Sequence, residues 1–324
     1  MEHGKPVSAT AIGGVPTSRR RALALLLAAG SRMRAAAAVE GIAPVRLAIS
    51  ESVVADVNLN DARAAMLVWL KRMMADLNVT VQVSPKVFDS AEEIKRRARM
   101  GEFDSVALNV VEYRQIADFL DPREVLVGAG EAGTEQYVLL VKRSGEFQQL
   151  SHLRGRRLCL LNAPKMCVAP AWLSMLLDEA RLGANEPFFS STITDAKASR
   201  VILPVFFGQA DACVTSQRSF ETMCELNPQV GKDLVATASS PRMVVTFYVF
   251  HKNYQNASRE RFIRILTEVR SSAAGRQMAE LFQFDGLALR DSGCLSTALS
   301  VLEKAQNARG RAASGSRKGP ADRD

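Results

Sequence analysis

The sequence has few of the residues on which enzymes and metal centres depend. Only three histidines occur in 324 residues, and neither His152 nor His251 has a serine elbow, a metal-binding partner or a paired acid beside it. No glycine-rich phosphate loop of either standard spacing is present. We therefore expect a protein that is not an enzyme, and we expect no cofactor and no bound metal.

Cysteine is also scarce, and its pattern is uninformative. The five cysteines are odd in number, and their spacings match no zinc pattern. In an oxidising compartment one pair could form a disulfide, and buried free thiols are the alternative. The five residues are Cys159, Cys167, Cys213, Cys224 and Cys294.

The excess positive charge, formally +8, is confined to the two ends of the chain. Residues 1–39 contain six basic side chains against one acidic, residues 306–324 contain five against two, and the remainder carries 31 of each sign. A body with balanced charge has no basic surface for a polyanion, which argues against nucleic-acid binding. Residues 306–324 are rich in Arg, Ala, Gly and Ser, and this composition predicts disorder.

Residues 1–38 are typical of an export signal peptide. Three arginines at 19–21 precede an apolar stretch at 22–29 that is too short to span a bilayer, which needs about 20 residues. The alanines at 35–38 are candidates for cleavage, and residues 18–23 resemble a twin-arginine signal. A plain cationic leader helix and simple secretion remain as alternatives. No later stretch has 18 uninterrupted apolar residues, so we expect the mature chain in the periplasm.

The body alternates strand and helix patterns, which predicts an α/β fold with largely parallel sheets. In the first half, strands are predicted at 45–49, 79–83 and 104–109, with helices at 60–77 and 90–100 between them.

The same scheme repeats in the second half. Strands are predicted at 156–161, 211–215 and 234–238, and helices at 169–182 and 198–207. Two further helices are expected at 259–270 and 274–282.

Two apolar stretches led by aromatic residues, 137–142 and 247–252, bracket the second α/β unit. Such a pair is expected where a chain crosses twice between two lobes. We therefore predict lobe 1 at 44–137 plus 248–303 and lobe 2 at 138–247. Each lobe is a mostly parallel sheet flanked by helices, and two hinge crossings join them.

Four short segments carry a resemblance to a known family. They are GEFDSVAL at 101–108, LSHLRGRR at 150–157, FGQADA at 207–212 and SSP at 239–241. Their order over residues 44–303 resembles the type II periplasmic solute-binding proteins of ABC importers, in the phosphate/phosphonate-binding branch. The resemblance implies a monomer that closes around a small molecule by hinge bending and docks on a membrane permease.

The sequence departs from the pattern of this family in its second lobe. Members of the family have a segment similar to Ser-Thr-Ser-Gly after the first strand of that lobe. Residues 164–167 of this chain are Pro-Lys-Met-Cys. The hydroxyl groups that surround a phosphoryl group are therefore missing, although Lys165 offers a cation. Glu51 would repel a dianion. We expect a small polar ligand that is anionic or zwitterionic, with phosphate and phosphonate implied by the resemblance.

Ligands of open parallel sheets bind beyond the carboxyl ends of the strands, which selects the polar residues in those loops. Each of them has a plainer interpretation as a helix cap, a solvated loop residue or hinge packing. A partner of a membrane signalling kinase and an enzyme on the same fold are the alternative functions. The predicted ligand-binding residues are Ser50, Glu51, Ser52, Asn109, Tyr137, Lys165, Met166, Cys167, Thr215, Ser216, Ser239 and Ser240.

Overall fold

The computed structural model describes residues 45–53, 68, 71–72, 74–75, 83–147, 149–183, 188–273, 275–276 and 286–315. The predicted signal peptide at 1–38 lies outside the described residues, as do most of the predicted helix at 60–77, most of the predicted strand at 79–83 and most of the predicted helix at 274–282.

The strands and helices of the described residues follow the alternating order that the sequence predicts. The strands are β1 (Val45–Ser50), β2 (Val83–Phe88), β3 (Ser105–Asn109), β4 (Glu124–Gly128), β5 (Tyr137–Lys142), β6 (Arg157–Leu161), β7 (Ser191–Asp195), β8 (Ala212–Ser216), β9 (Leu234–Ser239), β10 (Thr246–Phe250) and β11 (Leu287–Asp291). The α-helices are α1 (Ala91–Arg99), α2 (Val110–Ile116), α3 (Ala169–Glu179), α4 (Ala198–Phe206), α5 (Gln217–Leu226), α6 (Pro228–Asp233), α7 (Ala257–Thr267) and α8 (Ser296–Gly315).

The strands form two sheets, and both are mixed. Sheet I has the order β11-β4-β10-β3-β1-β2, and sheet II has the order β7-β6-β8-β5-β9. Within sheet I, β1 is parallel to β2 and β3, whereas β10 pairs antiparallel with β3 and β4. Within sheet II, β6 is parallel to β7 and β8, whereas β5 is antiparallel to β8 and β9.

The two-sheet α/β architecture with mostly parallel strands is confirmed. Among the described strands, β1, β2, β3 and β4 run in one direction in sheet I, and β6, β7, β8 and β9 run in one direction in sheet II. The strands that run against them are β10 and β11 in sheet I and β5 in sheet II. Strand β5 enters sheet II directly from sheet I, and strand β10 re-enters sheet I directly from sheet II.

Alternation along the strands divides the buried side chains between the faces of sheet I. In β1, Val45, Leu47 and Ile49 belong to one apolar cluster with Phe262 and Ile265 of α7. The residue between two of them, Ala48, belongs to a second cluster that continues into sheet II. One apolar core thus extends from sheet I to sheet II, and α7 closes the far face of sheet I.

Local signals fix the ends of several helices. The side chain of Ser90 accepts a hydrogen bond from the Glu93 amide at the start of α1, as the sequence predicts. Gly101 and Gly208 follow α1 and α4 with φ angles of 62° and 76°, a backbone region that favours glycine. Pro204 lies inside α4 and does not end it.

The chain changes sheets at residues 129–136 and again at residues 240–245. The stretches 137–142 and 247–252, predicted as strands at the crossings, correspond to β5 and β10, and each segment that changes sheets lies just before its strand. The two crossing segments lie side by side, because Glu135 and Met243 form an antiparallel bridge.

A third segment connects sheet I to the helices of sheet II. After β11 the chain passes through a 3-10 turn, Ser292–Leu295, into α8, which packs along α3. The prediction that disorder begins at residue 306 is wrong for residues 306–315, which belong to α8. Composition missed this helix because its apolar side is built from alanines, and both Ala305 and Ala308 are buried. Residues 316–324 lie outside the described residues.

Candidate ligand-binding site

Glu112, on the first turn of α2, is hydrogen-bonded within a cluster of polar side chains at the carboxyl ends of β1 and β3. The Ser50 hydroxyl donates to Glu112 Oε1 at 2.6 Å, and the Ser52 hydroxyl donates to Oε2 at 3.0 Å. Asn109 Nδ2 donates to the Ser52 oxygen at 3.0 Å. The parallel pairing of β1 with β3 brings these residues together, since parallel strands end at one edge of a sheet.

Asn109 and Glu112 hold the start of α2 by a reciprocal capping box. The Asn109 side chain accepts from the amides of Val111 and Glu112, and Glu112 Oε2 accepts from the Asn109 amide at 3.0 Å. Sequence reasoning selected Asn109 and missed Glu112. An asparagine followed three positions later by glutamate, directly after a strand, is the pattern that could have identified it.

The remaining residue predicted at this edge does not join the cluster. Glu51 begins the 3-10 turn Glu51–Val53 and its side chain is exposed. The turn itself contacts the turn Pro164–Met166 that follows β6 in sheet II. We call this junction the seam, defined by Ser50, Ser52, Asn109 and Glu112 on the sheet I side and residues 164–167 on the sheet II side.

Tyr137 and Ser240 join the two crossing segments beside the seam. The Tyr137 amide donates to Ser240 Oγ at 2.8 Å, and the Ser240 amide donates to the Tyr137 carbonyl at 2.8 Å. The Tyr137 hydroxyl donates to the Lys165 carbonyl at 2.8 Å, so the phenol anchors the turn that follows β6. Burial raises the pKa of Tyr137, which keeps the phenol a neutral donor.

Lys165 is held by a carboxylate from the first crossing segment. Its Nζ lies 3.2 Å from Glu135 Oε1, and the Glu135 side chain is buried while the Lys165 side chain is half exposed. Sequence reasoning proposed Lys165 as a cation for an anionic ligand and did not identify Glu135. Within the seam, the positive charge of Lys165 is offset by this carboxylate.

Met166 and Cys167 complete the sheet II side of the seam. Met166 is buried, and Cys167 Sγ lies 3.9 Å from the Val245 carbonyl oxygen of the second crossing segment. Burial, together with the negative charge of Glu112, raises the pKa of the Cys167 thiol to about 12. The thiol therefore stays protonated and neutral at neutral pH.

The predicted residues on β8 and β9 have different surroundings. Ser216 caps α5, since its Oγ accepts from the Ser219 amide at 3.1 Å. Thr215 is fully buried, and among the described residues its hydroxyl has no hydrogen-bond partner. Ser239 is exposed at the end of β9. Ser216 is the register partner of Tyr137, and Ser239 directly precedes the second crossing segment.

The residues that the structure describes contain no group of three or more His, Cys, Asp or Glu side chains that could hold a metal ion. All five cysteines are free thiols. The site therefore consists of hydroxyls, an amide and a carboxylate on one side and a short turn with a lysine on the other. Such groups bind small molecules by directional hydrogen bonds.

A family model described as "ABC transporter, phosphonate, periplasmic substrate-binding protein" matches residues 52–291. The chain belongs to this family. The phosphonate-binding family is a family of transport proteins and not of enzymes, and its members are periplasmic. Membership implies a small-molecule ligand and a membrane transporter as partner.

Solved structures share the fold of this family member at low sequence identity. XAC2383 from Xanthomonas citri, solved bound to chloride, has a TM-score of 0.58 and 14% identity, over 82% of this chain and 99% of that chain. PhnD1 from Prochlorococcus marinus, solved in complex with methylphosphonate, has a TM-score of 0.54 and 13% identity, over 82% and 98%. At these identities the likeness concerns the fold alone. No curated protein matches the chain.

None of the helices within the described part of this family member combines the length and apolar character needed to cross a membrane.

Proposed function

We propose that the chain is an exported solute-binding protein that captures a small polar ligand at the seam and delivers it to the membrane permease of an ABC importer. The ligand is anionic or zwitterionic. The observation that carries the proposal is the convergence of the strand ends of both sheets at the seam, directly beside two paired crossing segments. Ligands of open α/β sheets occupy this position.

The crossing segments supply the hinge. Glu135 and Met243 are joined by backbone hydrogen bonds, so the two crossing segments lie side by side. Hinges of this kind concentrate the change in φ and ψ in a few residues while the lobes move as rigid bodies. We propose lobe boundaries within residues 129–136 and 240–245, a few positions before those that the sequence predicted.

The ligand contacts come from the polar residues of the seam and hinge. Ser50, Ser52 and Asn109 supply hydroxyl and amide groups from lobe 1, and Ser216 supplies a hydroxyl from lobe 2. Tyr137 positions the turn at 164–167 through its bond to the Lys165 carbonyl. A ligand that touches both lobes favours the closed state by its differential affinity for that state.

Thermal-shift measurements on the mature protein test this function. Phosphates, phosphonates, sulfonates, amino acids and carboxylates are compared, and one class should raise the melting temperature with a dependence on ligand concentration. The variant Ser52→Tyr fills the seam and should abolish the shift. The matched control is Thr192→Tyr, because Thr192 is exposed on β7, away from the seam.

Two results would contradict the proposal. One is the absence of any thermal shift across all classes. The other is recovery of the intact chain, with residues 1–38 uncut, from the cytosol of the producing cell. We expect the periplasmic fraction to contain a chain that lacks these residues, as read by N-terminal mass spectrometry. Turnover of a compound in place of stoichiometric binding would favour an enzyme.

A further inference from the structure

Glu112 is a buried carboxylate without a positive partner among the described residues. Its side chain is only 9% exposed. Its hydrogen-bond donors are two serine hydroxyls and one backbone amide, at 2.6 to 3.0 Å, and all three are neutral. Buried carboxylates in proteins are normally paired with a cation, because burial removes the water that stabilises the charge.

The hydrogen bonds to Glu112 do not occupy all the acceptor positions of its carboxylate. Oε2 accepts two bonds, from Ser52 and from the Asn109 amide, whereas Oε1 accepts one, from Ser50. A carboxylate has about four acceptor positions, so one position on Oε1 remains for a further donor.

The seam residues on the sheet II side do not neutralise Glu112. The Cys167 thiol, whose pKa is raised by burial and by the charge of Glu112, is uncharged at neutral pH. Lys165, two residues earlier, is paired with Glu135 at 3.2 Å. Among the residues that the structure describes, no ion pair joins Glu112 to a cation.

We propose that Glu112 is the specificity-determining residue of the seam, and that it selects a ligand whose ammonium or guanidinium group donates to Oε1. This inference rests on the proposed function and narrows its ligand class to zwitterions with an amine-like group. A ligand that carries only negative charge would meet the carboxylate of Glu112 at the edge where it must bind, and this repulsion rejects it.

Calorimetric titration of the mature protein with matched ligand pairs tests the inference. Each pair differs only by an ammonium group: taurine and ethanesulfonate, 2-aminoethylphosphonate and ethylphosphonate, β-alanine and propionate. In at least one pair the amine-bearing member should bind tenfold or more tightly, which is the scale of a charge-assisted hydrogen bond.

The variant Glu112→Gln separates charge from structure. In glutamine, the single oxygen can replace Oε2 and accept from Ser52 and the Asn109 amide, while the amide nitrogen can donate to the Ser50 oxygen. Glutamine also serves in a capping box, so the fold should be retained, as a thermal melt will check. The preference for the amine-bearing ligand should fall by at least tenfold in this variant. The matched control Glu92→Gln, an exposed position on α1, should leave the preference unchanged.

The outcomes distinguish this inference from the proposed function. If the wild type binds the amine-free anion as tightly as its amine-bearing partner, or if Glu112→Gln keeps the full preference, the assignment of Glu112 is wrong while the binding function stands. If no member of any pair binds to the wild type, the assignment of Glu112 is wrong, and the proposed function is overturned as well when the thermal-shift screen also finds no ligand.

Discussion

Glu135 and Met243 donate backbone hydrogen bonds to each other's carbonyl groups, and both bonds are 2.8 Å long. One residue belongs to the segment that leaves sheet I and the other to the segment that returns to it. The pair therefore ties the two crossings into a minimal two-stranded ribbon. Bending between the sheets would involve this ribbon together with the third connection, from β11 into α8.

Replacing Met243 by proline should weaken the ribbon, because proline has no amide hydrogen to donate to the Glu135 carbonyl. Met243 is also buried, so the comparison must subtract the free energy that is lost when its side chain is removed. We expect Met243→Pro to lower the free energy of unfolding by about 1–3 kcal/mol more than Met243→Ala does, as measured by urea denaturation. Equal stabilities of the two variants would mean that the bridge contributes nothing.

Asp121 should make stability fall in acid. Its carboxylate accepts from Arg123 Nε at 3.0 Å and lies 3.2 Å from the Arg259 guanidinium, and the hydrogen bonds from Arg123 are the main cause that lowers its pKa from 3.8 to about 2. Because the folded pKa is depressed, the stabilisation is complete above about pH 4 and is lost as the pH falls towards 2. The loss is at most about 2 kcal/mol.

Asp121→Asn should remove this pH dependence and cost about 3 kcal/mol near neutral pH, because it breaks a buried ion pair with Arg259. Urea midpoints measured from pH 2 to pH 5 provide the comparison. Asp195→Asn is the control, since the Asp195 carboxylate pairs with Arg200 on the surface and should have a much smaller effect. A wild-type curve that stays flat below pH 4 would contradict the expectation.

The packing of α8 can be tested with two neighbouring residues of the same helix. Ala308 is 1% exposed, whereas Asn307 faces solvent. Ala308→Asp should lower the free energy of unfolding by about 2–4 kcal/mol because it buries a charge against the core. Asn307→Asp introduces the same charge and should change stability by less than about 0.5 kcal/mol. If the two variants are equally stable, the residues of α8 beyond 305 do not pack against the core.

The Cys167 thiol should resist alkylation in the native protein. With a pKa raised to about 12 by burial and by Glu112, only about one thiol in ten thousand is ionised at pH 8, and the thiolate is the reactive form. Peptide mapping after iodoacetamide treatment should find Cys167 unmodified in the native state and modified in urea. Rapid native labelling would show that the seam opens to solvent.

Much of the fold follows from local sequence signals. The runs that became β1, β3, β6 and β8 are short and largely apolar, and the caps at Ser90 and Gly101 mark the ends of α1. Two apolar stretches bracketing a second α/β unit were enough to predict two sheets joined by two crossings. These features depend on residues close together in the chain.

The site was predicted less completely. Strand ends identified Ser50, Ser52 and Asn109, but Glu112 and Glu135 were missed. The pattern of asparagine followed three positions later by glutamate predicts a capping box at Glu112, and a capping box does not by itself indicate a ligand site. Only the pairing of β1 with β3, across more than 50 residues of sequence, places Glu112 against Ser50 and Ser52.

The sequence by itself determined the alternation of strands and helices, the caps, and the two places where the chain changes sheets, because these depend on short-range periodicity and turn residues. The tertiary structure alone decided the reversed directions of β5, β10 and β11, the docking of the alanine-rich helix α8 on α3, and the charge balance at the seam. Those features arise from contacts between residues that are far apart in the chain. Such contacts also determine which buried charged groups have a partner of opposite charge.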